Sequence, residues 1–262
     1  MSTNTEPVST DRPGNGFKQA LGKRQQVGLF ATLASPHVSE LLALCGFDWL
    51  VIDTEHSPND LGDVANQMRS IALHGVAPVV RAAWNDPVLV KQLLDVGGQS
   101  ILFPYIETPE EAARAVASTR YPPAGIRGVA GSSRAARFGT DDTYLKRANE
   151  EICVIAQIES VRGLDNLQSI AMTPGIDAIF MGPADLAASL GHIGEPQHPT
   201  VQKAISEAFD ALRGLGKPHG YLTGNLSEAR RRLGEGIDFV ALGTDVLLLT
   251  GAARGALSQA RP

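Results

Sequence analysis

Cysteine is almost absent from this chain. Two residues in 262, Cys45 and Cys153, provide no disulfide framework. Cys45 closes a helical pattern and Cys153 lies inside an apolar run, so both read as buried, reduced thiols of a cytoplasmic protein. No apolar run is long enough to span a bilayer. Positive charge is not in excess either. The 23 Lys and Arg against 28 Asp and Glu give a net charge of −5, which argues against a nucleic-acid or membrane partner. The first 16 residues, MSTNTEPVSTDRPGNG, are rich in Ser, Thr, Pro and Gly and lack a hydrophobic signal core. A disordered leader is expected there, followed by one domain over residues 17–262.

Other absences narrow the chemistry. No Gly-rich phosphate cradle follows a predicted strand. No lysine falls at the end of a predicted strand, which argues against a covalent Schiff base. Lys217 begins a strand, Lys91, Lys146 and Lys203 lie in helical patterns, and Lys18 and Lys23 precede the repeating part of the chain. The histidines and the cysteine pair show no metal spacing. His37, His74, His192, His198 and His219 read as surface or capping residues.

What is present is a repeat. "GFDWLVID" from Gly46, "GIDAIFMG" from Gly175 and "GIDFVALG" from Gly236 share Gly, an apolar residue, Asp and an apolar run. Each follows a helical pattern, so the Gly suits a helix C-cap and the run suits a parallel strand buried on both faces. "GGQSILFPYIE" from Gly97 is a looser copy. Further strands are expected in "QVGLFATL" from Gln26, "APVVRA" from Ala77, "ICVIAQIE" from Ile152 and "KPHGYLTG" from Lys217. Between them lie helices with readable signals. Leu61, Val64, Met68 and Ile71 fall on one face. Asn85 or Asp86 caps a helix begun by Pro87, and Thr108 with Glu111 forms a capping box. Eight strands alternating with helices predict a (β/α)8 TIM barrel in a single domain, with a doubly wound sheet as the alternative.

In such a barrel the C-terminal strand ends share one face, and there the polar residues collect. The second strand ends in Asp53, Glu55 and His56, the third in Arg81, the fourth in Pro104, and the fifth in Gln157 and Glu159. The sixth runs into Gly182, Pro183, Ala184 and Asp185. Asp95 lies near the end of the third helix. Asp60 and Asp86 read more simply as helix caps. Glu159 and Asp185, hard oxygen ligands on adjacent strands, suit magnesium or manganese. Arg81 is placed to stabilise an oxyanion, and His56 to act as a base.

The segments "DWLVIDTEHSPND", "PVVRAAWNDP", "KQLLDVGGQSILFP", "RYPPAGIRGVAG", "QIES" and "GPADLAASLG" occur in order along the chain. Together they closely resemble the metal-dependent (class II) pyruvate aldolases of the HpcH/HpaI type, from about Phe17 to about Leu249. That family includes the 4-hydroxy-2-oxoheptanedioate, 2-dehydro-3-deoxyglucarate and 2-keto-3-deoxyrhamnonate aldolases of aromatic and sugar acid catabolism. The resemblance implies reversible cleavage of 4-hydroxy-2-oxoacids to pyruvate and an aldehyde. It implies Glu159 and Asp185 as metal ligands, Arg81 at the enolate oxygen, and Gln157 and the backbone around Gly182, Pro183 and Ala184 as pyruvate contacts. His56 with Asp95 is implied as the proton-handling dyad, with Asp53 and Glu55 bonded to metal waters. The expected cofactor is magnesium, manganese or cobalt, with no organic cofactor. Phe30 stands where several relatives carry Trp, facing the aldehyde half of the site, which leaves the aldehyde preference open. The family also implies a homohexamer built from dimers, with the C-terminal helix exchanged between subunits. The long excursion from Gly125 to Glu151 reads by itself as a mobile basic loop. An acyl-CoA lyase on the same scaffold and a non-catalytic small-acid binder are the competing readings.

Overall fold

The computed structural model describes residues 14–261. Eight parallel strands close into a barrel in chain order. They are β1 (Gln26–Ala31), β2 (Trp49–Asp53), β3 (Ala77–Arg81), β4 (Ser100–Phe103), β5 (Cys153–Ile158), β6 (Ala178–Met181), β7 (His219–Leu222) and β8 (Phe239–Thr244). Helices follow the strands, so the (β/α)8 expectation holds and the doubly wound sheet is excluded. The repeated Gly-apolar-Asp motif now has a physical cause. Gly46, Gly175 and Gly236 take φ of 89°, 93° and 90°, which a side chain would resist. Each following Asp then closes the start of the preceding strand. Asp48, Asp177 and Asp238 accept from the backbone N–H of Val27, Val154 and His219 at 2.8, 2.8 and 2.9 Å. The repeat is therefore a device for satisfying strand N-termini that the barrel would otherwise leave bare.

Two apolar layers result. Leu50, Ile52, Val80, Ile101, Val154 and Ile179 pack outward under the helices. Trp49, Val51, Val79, Leu102, Ile155, Phe180 and Phe239 fill the interior. Strand side chains alternate faces, so Asp53, Arg81 and Gln157 have the inward parity of Val51, Val79 and Ile155. Phe17, on the short helix Gly16–Ala20, plugs the N-terminal end of the barrel against Trp49 and Phe239 at 5.3 and 5.2 Å between ring centroids. Asn15 caps that helix and also donates to Gln99 O at 2.9 Å. The ordered domain thus reaches back into the expected leader, whose first 13 residues lie outside the described ones.

The helix signals mostly hold. Asp60, Asp86 and Thr108 are N-caps, the last in a capping box with Glu111. Leu61 departs from its expected face: at the first helical position it is exposed, while Val64, Met68 and Ile71 are buried. Cys45 is exposed rather than buried, because it sits past the last turn of its helix. His219 is buried at the start of β7 rather than on the surface. The Gly125–Glu151 excursion is not a loose basic loop. It folds into a 3-10 turn, Arg134–Gly139, and a helix, Tyr144–Glu151. Two of its cations are paired with acids: Arg127 is buried beside the Tyr121 ring and pairs with Asp95 at 3.0 Å, and Arg147 pairs with Asp141 and Glu151.

Candidate active site

The C-terminal mouth of the barrel is organised around one ion pair. Asp53 and Arg81 are register partners on β2 and β3. Arg81 Nε and NH2 donate to the two oxygens of Asp53 at 2.7 Å each. Its NH1 lies 2.9 Å from Glu55 Oε2, and the guanidinium carbon sits 5.0 Å from the centre of the Phe30 ring. Two of the five guanidinium N–H groups are hydrogen-bonded, both to Asp53, and the contact with Glu55 is an ion pair. Carboxylates on one side and an aromatic face below allow that cation little freedom. Phe30 is 2% exposed, so it forms the floor beneath Arg81 rather than an open wall. The Asp53 backbone carbonyl accepts from Asn59 Nδ2 at 2.7 Å and from the Ser57 hydroxyl, which folds the "HSPN" turn back over the strand end.

Glu159 follows β5 and is 2% exposed. Its Oε1 accepts from the backbone N–H of Tyr105 at 2.8 Å, and its Oε2 from Gln157 Nε2. Burial pushes its carboxyl up to about 7, with the charges of Glu55 and Asp185 adding to that rise. Glu55 is likewise pushed up to about 7, chiefly by burial, although Arg81 pulls the other way. Asp185 lies in the first turn of the helix Pro183–Ser189, whose N-cap is Gly182. It accepts from the Tyr105 hydroxyl at 2.9 Å. Gly182 makes the close approach possible: a Cβ there would stand 2.5 Å from Glu159 Oε2 and 3.2 Å from Gln157 Nε2.

This arrangement fits a divalent cation. Glu55, Glu159 and Asp185 act on one another electrostatically, while Arg81 is already bidentate to Asp53. Gln157 Oε1 is buried without a hydrogen-bond partner among the described residues. Oxygen donors in a cramped, carboxylate-rich mouth suit magnesium or manganese.

The expected His56–Asp95 dyad is not what the fold assembles. His56 lies in the bend after β2 and its side chain is 62% exposed. Among the described residues its carboxylate partner is Glu55, at 3.7 Å. Asp95 closes the helix Pro87–Asp95 and is held by Arg127. Tyr105, which touches both candidate ligands, carries no charge and so escaped a reading that followed charged strand ends. The one available signal was its place directly after Pro104, at the end of β4.

Two other features compete for attention. A cavity of about 560 Å³ opens at the opposite mouth, lined by Met68, Pro78, Gln99 and Arg137 among others. It contains no carboxylate, and the barrel's chemistry lies at the other end. His192, Glu195 and His198 bring ligand atoms within 4.8 Å of one another, a cluster the sequence spacing did not suggest. The two imidazoles are stacked, 3.5 Å between centroids and 16° between planes. Their in-plane lone pairs run nearly parallel instead of converging on one ion, and His198 Nδ1 already accepts from Thr200 as a helix cap.

The model of the HpcH/HpaI aldolase/citrate lyase family matches residues 26–252. A 5-keto-4-deoxy-D-glucarate aldolase of Salmonella paratyphi A is 51% identical over 88% of this chain and 91% of its own. A hydroxypyruvate/pyruvate aldolase of Chromohalobacter salexigens is 47% identical over 94% of this chain and 98% of its own. A crystal structure of an HpcH/HpaI aldolase/citrate lyase family protein from Burkholderia cenocepacia superposes with a TM-score of 0.91 at 45% identity, covering 95% of this chain and 100% of that one.

Proposed function

Because the chain belongs to the HpcH/HpaI aldolase/citrate lyase family, we propose that it is a metal-dependent aldolase that reversibly cleaves 4-hydroxy-2-oxoacids to pyruvate and an aldehyde. The observation that carries this reading is the buried carboxylate Glu159, near Asp185 and within electrostatic reach of a rigidly held Arg81. Glu159 and Asp185 would hold a divalent ion, magnesium, manganese or cobalt, which supplies Lewis-acid polarisation of a 2-oxoacid when bound.

The chain's own residues account for the rest. Arg81 sets a fixed positive charge beside the carbonyl oxygen that becomes the enolate oxygen. Its orientation, locked by Asp53, needs no rearrangement as charge develops. Gln157 contacts pyruvate through the amide N–H that is not given to Glu159, and the backbone of Gly182, Pro183 and Ala184 borders the substrate carboxylate. His56 takes the C4 hydroxyl proton as the C3–C4 bond breaks and returns it in the aldol direction. Glu55, 3.7 Å away, orients the imidazole; Asp95 would serve that role only if it left Arg127.

The last helix supports an assembly of several copies. In Asp245–Ala260 only Asp245 is buried, while Leu247, Leu248, Leu249 and Leu257 are about half exposed or more. Exposed leucine on several sides of one helix calls for a partner. A second copy exchanging this helix, within a hexamer of dimers, would bury it. No described helix is long and apolar enough to cross a membrane, and the two thiols are free. The cytoplasm is the compartment proposed.

The test is direct. Purified protein should release pyruvate from 5-keto-4-deoxy-D-glucarate, the substrate in the name of one relative, or condense pyruvate or hydroxypyruvate with an aldehyde panel. Activity should vanish with chelator and return with magnesium, manganese or cobalt. Full activity in excess chelator, or trapping of a pyruvate adduct by borohydride, would overturn the reading.

A further inference from the structure

Tyr105 has an unusual backbone and two unusual contacts. Its φ is 50°, in the left-handed region that non-glycine residues seldom enter. Such conformations persist when the surroundings over-determine them, and here they do. The turned backbone gives the Tyr105 N–H to Glu159 Oε1 at 2.8 Å, across 54 residues of sequence. The phenol reaches the other way and gives its O–H to Asp185 Oδ1 at 2.9 Å, across 80 residues. One residue after β4 therefore ties together carboxylates that follow β5 and β6. The ring is steadied from the β3 side by Trp84, 6.1 Å away between centroids.

We propose that Tyr105 is a positioning residue for cation binding, fixing the mutual orientation of Glu159 and Asp185 through its N–H and its hydroxyl. This rests on the reading of those two acids as metal ligands. Glu159 is held at both oxygens, by Tyr105 and by Gln157. Asp185 sits at the start of a helix and accepts, among the described residues, from the phenol alone. The hydroxyl is thus the one side-chain group setting the Asp185 carboxylate plane. Phenylalanine at 105 keeps the backbone contact to Glu159 and the ring against Trp84, and deletes only the bond to Asp185. Partners that orient metal ligands typically matter by about ten- to a hundredfold in affinity.

The experiment is manganese titration of metal-free full-length protein, followed by calorimetry and by the loss of the free-ion paramagnetic resonance signal. Wild type, Tyr105→Phe and Asp185→Asn are compared. Asp185→Asn should lose the site. Tyr105→Phe should bind about ten- to a hundredfold more weakly, with the thermal midpoint of the metal-free protein near wild type and turnover recovering at high manganese. Wild-type or tighter affinity in Tyr105→Phe, with Asp185→Asn still defective, overturns the positioning role alone. Equal binding by wild type and Asp185→Asn, or none by either, overturns the metal reading and this proposal with it.

Discussion

At the scale of single residues, Arg81 is the side chain with the most to lose. Its planar fork meets Asp53 at two points and Glu55 at a third. A lysine ammonium cannot reproduce that geometry. Arg81→Lys should therefore lose at least about a hundredfold in solvent exchange of the pyruvate methyl protons, the scale of one missing oxyanion donor. Arg81→Ala should also lower stability by about 3–5 kcal/mol, because Asp53 is left as an unpaired buried charge; chemical denaturation would measure this. Near-normal exchange in both variants would remove Arg81 from the reaction. His56 raises a finer question, since the fold offers it Glu55 rather than Asp95. We expect His56→Ala to lose about a hundred- to ten-thousandfold in cleavage, the range of a general base. Glu55→Gln should lower the rate, and Asp95→Asn should lower it less. The reverse ranking of the two acid variants would mean that Asp95 reaches His56 in the assembled protein.

At the scale of elements, the Gly-apolar-Asp repeat is a structural device that carries no chemistry. Each Asp accepts the backbone N–H at the start of the preceding strand. Asp177→Ala strands the buried N–H of Val154, and an unsatisfied buried donor costs about 1–3 kcal/mol. For a domain of this size that corresponds to a fall of several degrees in thermal midpoint, with turnover at 25 °C unchanged. Unaltered melting would show that water replaces the carboxylate at no cost. The same elements show how far sequence patterns carry. Proline-led helix starts and the Thr108–Glu111 box were readable because capping depends on neighbours three residues apart. Arg127 was not, because its partners Tyr121, Tyr144 and Asp95 come from three separate segments.

At the scale of the whole molecule, burial of acids in the mouth sets a pH response. Glu55 and Glu159 are held near 7, above the ordinary carboxylate value of 4.5. The folded state binds their protons more tightly than the unfolded chain does. Their contribution to stability is therefore fully present below about 4.5 and is lost as pH rises through about 7. Buried His219 works in the opposite sense, since burial holds it below its usual value, but it lies at the far end of β7 and would not sense a cation at the mouth. The difference between melts with and without manganese isolates the carboxylates. The gain in thermal midpoint from manganese should be larger at pH 8 than at pH 6. A gain independent of pH would contradict the raised acids. Deleting residues 246–262 should also shift the assembly to smaller species in light scattering, because the exposed leucines of the last helix would be gone.

By itself the sequence determined the barrel, its strand order and the set of acids at strand ends. These follow from local signals: helix caps, apolar runs and a motif repeated along the chain. It could not determine which strand residues face inward, because parallel strands buried on both faces show no alternation. Asp53, Arg81 and Gln157 join the site by a parity that only the closed barrel reveals, and His56 lies in the bend beyond β2. The tertiary structure also decided the partners: Glu55 beside His56, Arg127 on Asp95, and Tyr105 across Glu159 and Asp185. Hydrogen bonds and ion pairs act over about 3–4 Å. Which groups come that close depends on how β3, β4, β5 and β6 end side by side, and for Tyr105 that relation spans 54 and 80 residues, which no local pattern encodes.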